Sequence, residues 1–188
     1  MTNFNTHTFE STSAEGRDVL ETVKGKYGFI PNLLGNMVEA PATARAYLAL
    51  GDLLAETSFS PTEQQVVMMA ASRINECEYC LGAHSAAALM QKVPADVVES
   101  IRNDEPIANP KLEALRRFTT LVVEQRGWLS EEDTGQFVAA GYDKQQILEV
   151  VLGVAMKTIS NYTNHIAGTE LDEAFSAHAW QAPASRVA

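Results

Sequence analysis

The sequence predicts an all-α fold, and three observations support this prediction. Apolar residues recur at helical spacing along most of the 188 residues, whereas alternation of apolar and polar residues is scarce. Helix-start residues precede several segments, as Ser60 and Pro61 precede "TEQQVVMMAASRIN". Glycines that favour a helix end, such as Gly127 and Gly141, follow others. We therefore expect a bundle of helices.

The helical segments follow one another along the chain. The segment "PATARAYLALGDLLAETS" places its large apolar residues near helical spacing, and "SPTEQQVVMMAASRIN" opens with a capping box formed by Ser60 and Glu63. After the cysteine-containing stretch come "VPADVVESIRN", "NPKLEALRRFTTLVVEQRG" and "SEEDTGQFVAAG". The last segment, "DKQQILEVVLGVAMKTIS", is apolar on nearly all sides. That pattern is typical of a central helix or of one at a subunit interface.

No low-complexity linker divides the chain, so we expect one helical domain over residues 13–180, with a CxxC-bearing helix near residues 77–91. Residues 1–12 and 181–188 have the composition of loose tails. An offset of 81 residues aligns "QQVVMMAASRINECEYCLGAH" with "QQILEVVLGVAMKTISNYTNH". Few of the aligned positions are identical, so two weakly similar halves and a chance match both remain open.

The charge of the chain limits its partners. A net charge of −10 and a pI of about 4.8 argue against nucleic acid or an anionic membrane as the main partner. No apolar run approaches the roughly 20 residues that a membrane-spanning helix needs. The first residues lack the basic and apolar regions of a secretory signal, so we expect a cytoplasmic protein.

The stretch "ECEYCLGAH" contains the candidate reactive residues of the sequence, two cysteines and a histidine. If it begins a helix, Cys77, Cys80 and His84 share one face near the helix N-terminus. The positive end of the helix dipole favours a thiolate, and the histidine can accept or relay a proton. Such a dithiol can reduce an electrophilic oxygen or sulfur through a sulfenic acid and then a disulfide.

Two other interpretations of the same residues remain. A structural zinc site needs about four ligands, but the chain has no further cysteine and only three other histidines. The two thiols could also be inert core residues, because free cysteine is often simply buried. We favour the redox dithiol and predict neither a metal nor an organic cofactor.

At these residues the sequence resembles a known family. The stretch "SPTEQQVVMMAASRINECEYCLGAH" is similar to the core motif of the carboxymuconolactone decarboxylase superfamily, and most similar to its alkylhydroperoxidase AhpD-like, peroxidase-related branch. The upstream "YGFIPNLLGNMVEAPATARAYLAL" resembles the lead-in helices of that branch. The resemblance covers residues 25–105 well and is looser afterwards, through "AAGYDKQQILEVVLGVA" and "NHIAG".

The resemblance implies an AhpD-like helical bundle that assembles as a homo-oligomer, a trimer or a hexamer. It also implies reduction of organic hydroperoxides without metal or haem, with a separate dithiol donor as the second partner. In that pattern Cys80 attacks the peroxide, Cys77 resolves the intermediate, and His84 belongs to a proton relay.

One position departs from the family pattern. The relay glutamate expected twelve residues before the first cysteine is Gln65, and an amide cannot take a proton at neutral pH. Glu63 lies about 200° away around the helix and is better explained by the capping box. Two alternatives therefore stay open beside a peroxidase. One is a disulfide reductase or redox sensor, and the other is a decarboxylase-like or binding scaffold with incidental thiols.

Overall fold

The computed structural model describes residues 4–183, and within that range it contains only helices, turns and loops. The α-helices are α1 Ala14–Tyr27, α2 Asn32–Met37, α3 Pro41–Ala55, α4 Pro61–Ile74, α5 Glu78–Met90, α6 Ala95–Asn103, α7 Pro110–Glu124, α8 Glu131–Ala139 and α9 Lys144–Ala167. A 3-10 helix, Glu173–His178, follows α9. The predicted all-α fold is confirmed.

Helix α4 is at the centre of the bundle. It packs against α5, α6, α7 and α9, and every residue from position 65 to position 72 is buried. The predicted capping box starts this helix, because the Glu63 carboxylate accepts hydrogen bonds from the backbone N–H of Ser60 at 2.9 Å and from its hydroxyl at 2.8 Å. The Glu63 side chain is therefore committed to the helix start, as the sequence indicated.

Helix α9 is buried on one side only. Its inner face packs against α3 and α4, whereas Leu148 and Ile166 on its outer face are each 70% exposed. Helix α9 also runs unbroken for 24 residues, although the aligned stretch of the first half breaks between α4 and α5. The two stretches of the weak repeat thus have different backbones.

A stack of three aromatic rings connects α7, α8 and the turn before α9. The Phe118 and Phe137 ring centroids lie 4.1 Å apart, and those of Phe137 and Tyr142 lie 4.4 Å apart. Phe137 is 1% exposed. Stacked buried rings of this kind contribute beyond their buried area, so this stack is a main contact between α8 and the rest of the bundle.

The segments outside the main helices make specific contacts. The His7 backbone N–H donates to the Gly35 carbonyl at 3.0 Å, and the Thr6 hydroxyl donates to the Asn36 side-chain oxygen at 2.9 Å. At the other end, the Arg102 guanidinium donates to the carbonyls of His178 and Ala179, each at 3.0 Å. Residues 1–3 and 184–188 of the predicted tails lie outside the described residues, and the division into one domain and two tails stays a prediction.

Across residues 4–183, no helix combines the length and the apolar character that crossing a membrane requires.

Candidate active site

The turn between α4 and α5 places the first cysteine. Helix α4 ends in a Schellman motif, in which the Cys77 N–H donates to the Ser72 carbonyl at 2.9 Å and the Glu76 N–H donates to the Arg73 carbonyl at 3.0 Å. Glu76 occupies the left-handed position that the motif requires, with φ of 54°. Cys77 is also the N-cap of α5, so one residue closes one helix and opens the next.

Both thiols lie in the interior and are unbridged. Cys77 is fully buried, and Cys80, in the first turn of α5, is 2% exposed. The Asn164 side-chain amide on α9 donates to the Cys80 sulfur at 3.2 Å and approaches the Cys77 sulfur at 3.7 Å. The sulfur atoms therefore face α9, which supplies a hydrogen-bond donor for a negative charge on Cys80.

The two thiols differ in how readily they ionise. The Cys77 thiol donates a hydrogen bond to Cys80, which together with burial raises the pKa of Cys77. Burial opposes the ionisation of Cys80 as well, but the Cys77 donor and the positive charge of Lys157 outweigh it and hold the pKa of Cys80 well below its ordinary value. The arrangement favours a thiolate on Cys80 with a protonated Cys77 thiol beside it.

His84 and Gln65 form the second part of the site. The His84 Nδ1–H donates to the Gln65 Oε1 at 3.0 Å, and the Gln65 amide N–H donates to the Gln91 Oε1 at 3.3 Å. This pairing leaves the His84 Nε2 with a lone pair. Burial and the nearby charge of Lys157 lower the pKa of His84 well below its ordinary value, so this imidazole is neutral at pH 7.

Tyr79, inside the CxxC sequence, has hydrogen-bond partners other than those of the thiols. Its hydroxyl donates to the Asp172 carboxylate at 2.5 Å and accepts a hydrogen bond from the Leu33 N–H at 3.4 Å. Asp172 also accepts from the Asn32 N–H at 3.1 Å. These bonds attach α5 to α2 and to the segment after α9, so Tyr79 has a structural role.

The histidines, cysteines and carboxylates of residues 4–183 form no group of three or more that could hold a metal ion.

Comparisons with known proteins concern the fold and the segment that carries the two cysteines. The model of the carboxymuconolactone decarboxylase family matches residues 41–121, which include α3 to α6 and the whole CxxC stretch. No curated protein sequence matches the chain at a significant level. A solved structure from Ralstonia eutropha JMP134, an alkylhydroperoxidase AhpD core described as an uncharacterized peroxidase-related protein, has a TM-score of 0.78 at 21% identity, over 92% of this chain and 93% of that one.

Over residues 41–121 the chain is similar to the carboxymuconolactone decarboxylase family. Its fold is AhpD-like. A peroxidase-related protein from Silicibacter sp. TM1040 is similar too, with a TM-score of 0.74 at 19% identity, over 87% of each chain. The debrominase Bmp8, solved as a variant with 2,3,4-tribromopyrrole, gives a TM-score of 0.77 at 18% identity, over 95% of this chain and 96% of that one. At these identities the solved structures are similar in fold.

Two residues near the thiols were missed by sequence reasoning. Lys157 is fully buried, and Asn164 contacts the thiols from a position 84 residues after Cys80. Lysine is almost never fully buried without a partner, so a single lysine in the apolar stretch "VVLGVAMKTIS" was the available signal for Lys157. Nothing local marks Asn164, because its role depends on the packing of α9 against α5.

Gln65→Glu would restore the acidic residue of the superfamily pattern, and we expect it to raise the pKa of His84. A carboxylate that accepts from His84 Nδ1 favours the imidazolium, which should move the pKa upwards by about one unit or more. An NMR titration of the His84 ring measures the shift. Gln64→Glu, one position earlier on α4, is the matched control and should leave that titration unchanged.

Proposed function

We propose that this chain reduces organic hydroperoxides with the Cys77–Cys80 dithiol. The observation that carries the proposal is the contact of two buried, unbridged thiols with the Asn164 amide, 3.2 Å from Cys80 and 3.7 Å from Cys77, in surroundings that lower the pKa of Cys80 and raise that of Cys77. A nucleophilic sulfur with a second thiol in contact is what the two-step reduction needs.

The reaction balances in two steps. The Cys80 thiolate attacks the outer oxygen of ROOH, the O–O bond breaks, and the alkoxide takes one proton, which gives Cys80–SOH and ROH. The Cys77 thiol then attacks that sulfenic sulfur, and water leaves as the Cys77–Cys80 disulfide forms. Two electrons pass from the dithiol to the peroxide, and a dithiol donor must return them.

Burial of the thiols favours a small oxidant over a protein disulfide. Because Cys80 is 2% exposed and Cys77 is fully buried, a large substrate cannot reach either sulfur without a rearrangement of the surrounding helices. A disulfide reductase, one of the alternatives that the amide of Gln65 left open, needs such access for its substrate, whereas hydroperoxide reduction needs it only when the dithiol donor returns the electrons. We therefore favour a hydroperoxide over a protein disulfide as the substrate.

The test is a count of thiols and products. Reduced protein is mixed with tert-butyl hydroperoxide, the remaining thiols are titrated under denaturing conditions, and tert-butanol is measured by NMR. We expect each chain to lose both thiols and to form one alcohol. Persistence of both thiols in folded protein would overturn the proposal, and the Cys77→Ala/Cys80→Ala variant gives the background rate.

We also propose that the chain forms a homo-oligomer through α9. Apolar residues on the outer side of this helix follow heptad spacing, which is the spacing that pairs helices. They are Leu148, Leu152, Ala155, Ile159, Tyr162 and Ile166. The exposed fractions of Leu148, Tyr162 and Ile166 are 70%, 52% and 70%.

A pair of charge substitutions tests the oligomer. We expect light scattering to give a multiple of the 20.5 kDa chain mass for the wild type, and Leu148→Glu with Ile166→Glu to reduce it to one chain, because four or more buried carboxylates would have to lose their hydration. Val138→Glu on α8, where the valine is 44% exposed, is the control. A monomeric wild type would contradict the proposal.

A further inference from the structure

Lys157 is a buried cation to which no carboxylate of residues 4–183 is hydrogen-bonded. The residue is 0% exposed, and within residues 4–183 its Nζ has no hydrogen-bond acceptor, so no carboxylate neutralises it through such a bond. An isolated ammonium in the protein interior is costly unless an anion forms next to it. The surroundings of Lys157 therefore have to supply that anion.

Among the tyrosines, the thiols and the histidine around Cys80, one group is left as that anion. Tyr47 of α3 and Tyr79 of α5 are neutral, because burial raises the pKa of both phenols. Cys77 keeps its proton and His84 is uncharged, for the reasons given above. The sulfur of Cys80 is left as the anion, and it receives the Asn164 amide from the same helix that carries the lysine.

Lys157 and Asn164 lie on one face of α9. They are seven residues apart, which is two helical turns, and Asn164 directly contacts the dithiol. The Oδ1 of Asn164 is also buried and unpartnered in the described part of the chain. Among the described residues, α9 thus carries two unpartnered donors, Lys157 Nζ and Asn161 Nδ2, and one unpartnered acceptor, Asn164 Oδ1. Donors and an acceptor are what the two oxygens and the O–H of a hydroperoxide require.

We propose that Lys157 is the acid of this site: it pairs with the Cys80 thiolate at rest and gives its proton to the departing alkoxide. The step reads Cys80–S⁻ and Lys157–NH₃⁺ with ROOH, giving Cys80–SOH, ROH and Lys157–NH₂. The O–O bond breaks, an S–O bond forms, and charge is conserved. This role deepens the proposed hydroperoxide reduction and rests on it.

His84 cannot serve as that donor. Its one N–H, on Nδ1, is bonded to the Gln65 Oε1, and its Nε2 carries a lone pair. Gln65 has no proton to pass on, unlike the glutamate that the superfamily pattern places there. Lys157 therefore takes over the task that the missing carboxylate leaves, from α9 instead of α4.

The first experiment tests the pairing without any peroxide. In a Cys77→Ser background, the rate of iodoacetamide alkylation of Cys80 is followed against pH. Lys157→Met should move the midpoint upwards by about one to three pH units, because an opposite charge is lost. Lys157→Arg should keep the low midpoint, since the charge is retained. Lys144→Met, at the exposed start of α9, is the control. An unmoved midpoint in Lys157→Met overturns the pairing.

The second experiment tests proton donation. Oxidation by tert-butyl hydroperoxide, whose alkoxide needs a proton, is compared with oxidation by peracetic acid, whose acetate does not, at a pH where each variant's Cys80 is ionised. Arginine cannot lose its proton at these pH values. Lys157→Arg should therefore lose about a hundredfold in rate with the alkyl hydroperoxide and less than about fivefold with the peracid. Equal losses with both oxidants overturn the acid role.

Folding of the variants does not obscure these outcomes. Replacing a buried charge by an apolar side chain of similar volume is often neutral or stabilising, so we expect Lys157→Met to melt no lower than the wild type. The proton-transfer test uses only the Lys157→Arg variant, so it does not depend on the folding of Lys157→Met. If wild-type protein consumes no hydroperoxide, the proposed function and the acid role both fail, whereas a shifted alkylation midpoint still establishes the Lys157–Cys80 pair.

Discussion

Replacing Cys80 with serine is expected to abolish hydroperoxide turnover, with a loss of at least about a thousandfold, because a hydroxyl in this position is neither ionised nor comparably nucleophilic. Cys77→Ser should behave differently. The Cys80 thiolate can still attack once, but no second thiol displaces water from the sulfenic acid. We expect that variant to complete one oxidation per chain and then stop.

Mass spectrometry with dimedone distinguishes the two variants. The reagent should label Cys80 in oxidised Cys77→Ser protein and should label little in the wild type, where the disulfide forms instead. Circular dichroism checks that both variants stay folded. A stable sulfenic acid on Cys77 in the Cys80→Ser variant would show that the order of attack is reversed, and it would also contradict the ionisation pattern of the two thiols.

Phe137→Ala is expected to lower the free energy of unfolding by about 3–5 kcal/mol, the largest stability effect of any single substitution that we predict. The ring is 1% exposed and is stacked between Phe118 and Tyr142, at centroid distances of 4.1 and 4.4 Å. Truncation leaves a cavity with two flat aromatic walls, and neither ring can move far to fill it.

Urea denaturation of the reduced protein measures this change. Val138→Ala is the matched control, because the neighbouring valine is 44% exposed and should cost less than about 1 kcal/mol. Since the aromatic stack lies on α7 and α8, and the dithiol on α5, the folded fraction of the Phe137→Ala variant should keep its alkylation rate at Cys80. A cost for Phe137→Ala below about 1 kcal/mol would show that α8 packs independently of these rings.

The features that were predictable from the sequence are those that depend on near neighbours. The capping box of Ser60 and Glu63 depends on four consecutive residues. The helix after Cys77 follows from the composition of its own segment. The left-handed Glu76 was not predictable, because that backbone position usually holds glycine or asparagine and nothing adjacent indicates the exception.

The rest of the site depends on residues far apart in the chain. Lys157 and Asn164 meet the thiols only because α9 returns to pack against α4 and α5. The prediction for α9 was a central helix or one at an interface, and the central position belongs to α4, whose apolar residues are surrounded by four other helices. The hydrophobic pattern alone could not show which of the two helices is central, since both are apolar on several sides.

The buried ammonium of Lys157 also bears on the reduction potential of the dithiol. Whatever stabilises the thiolate stabilises the reduced state, so the couple becomes more oxidising and its disulfide easier to break. In the disulfide form the lysine has no anion beside it, and reduction restores one. A weakly reducing thiol is then a sufficient electron donor. Loss of this charge would leave a disulfide that only a stronger reductant could open.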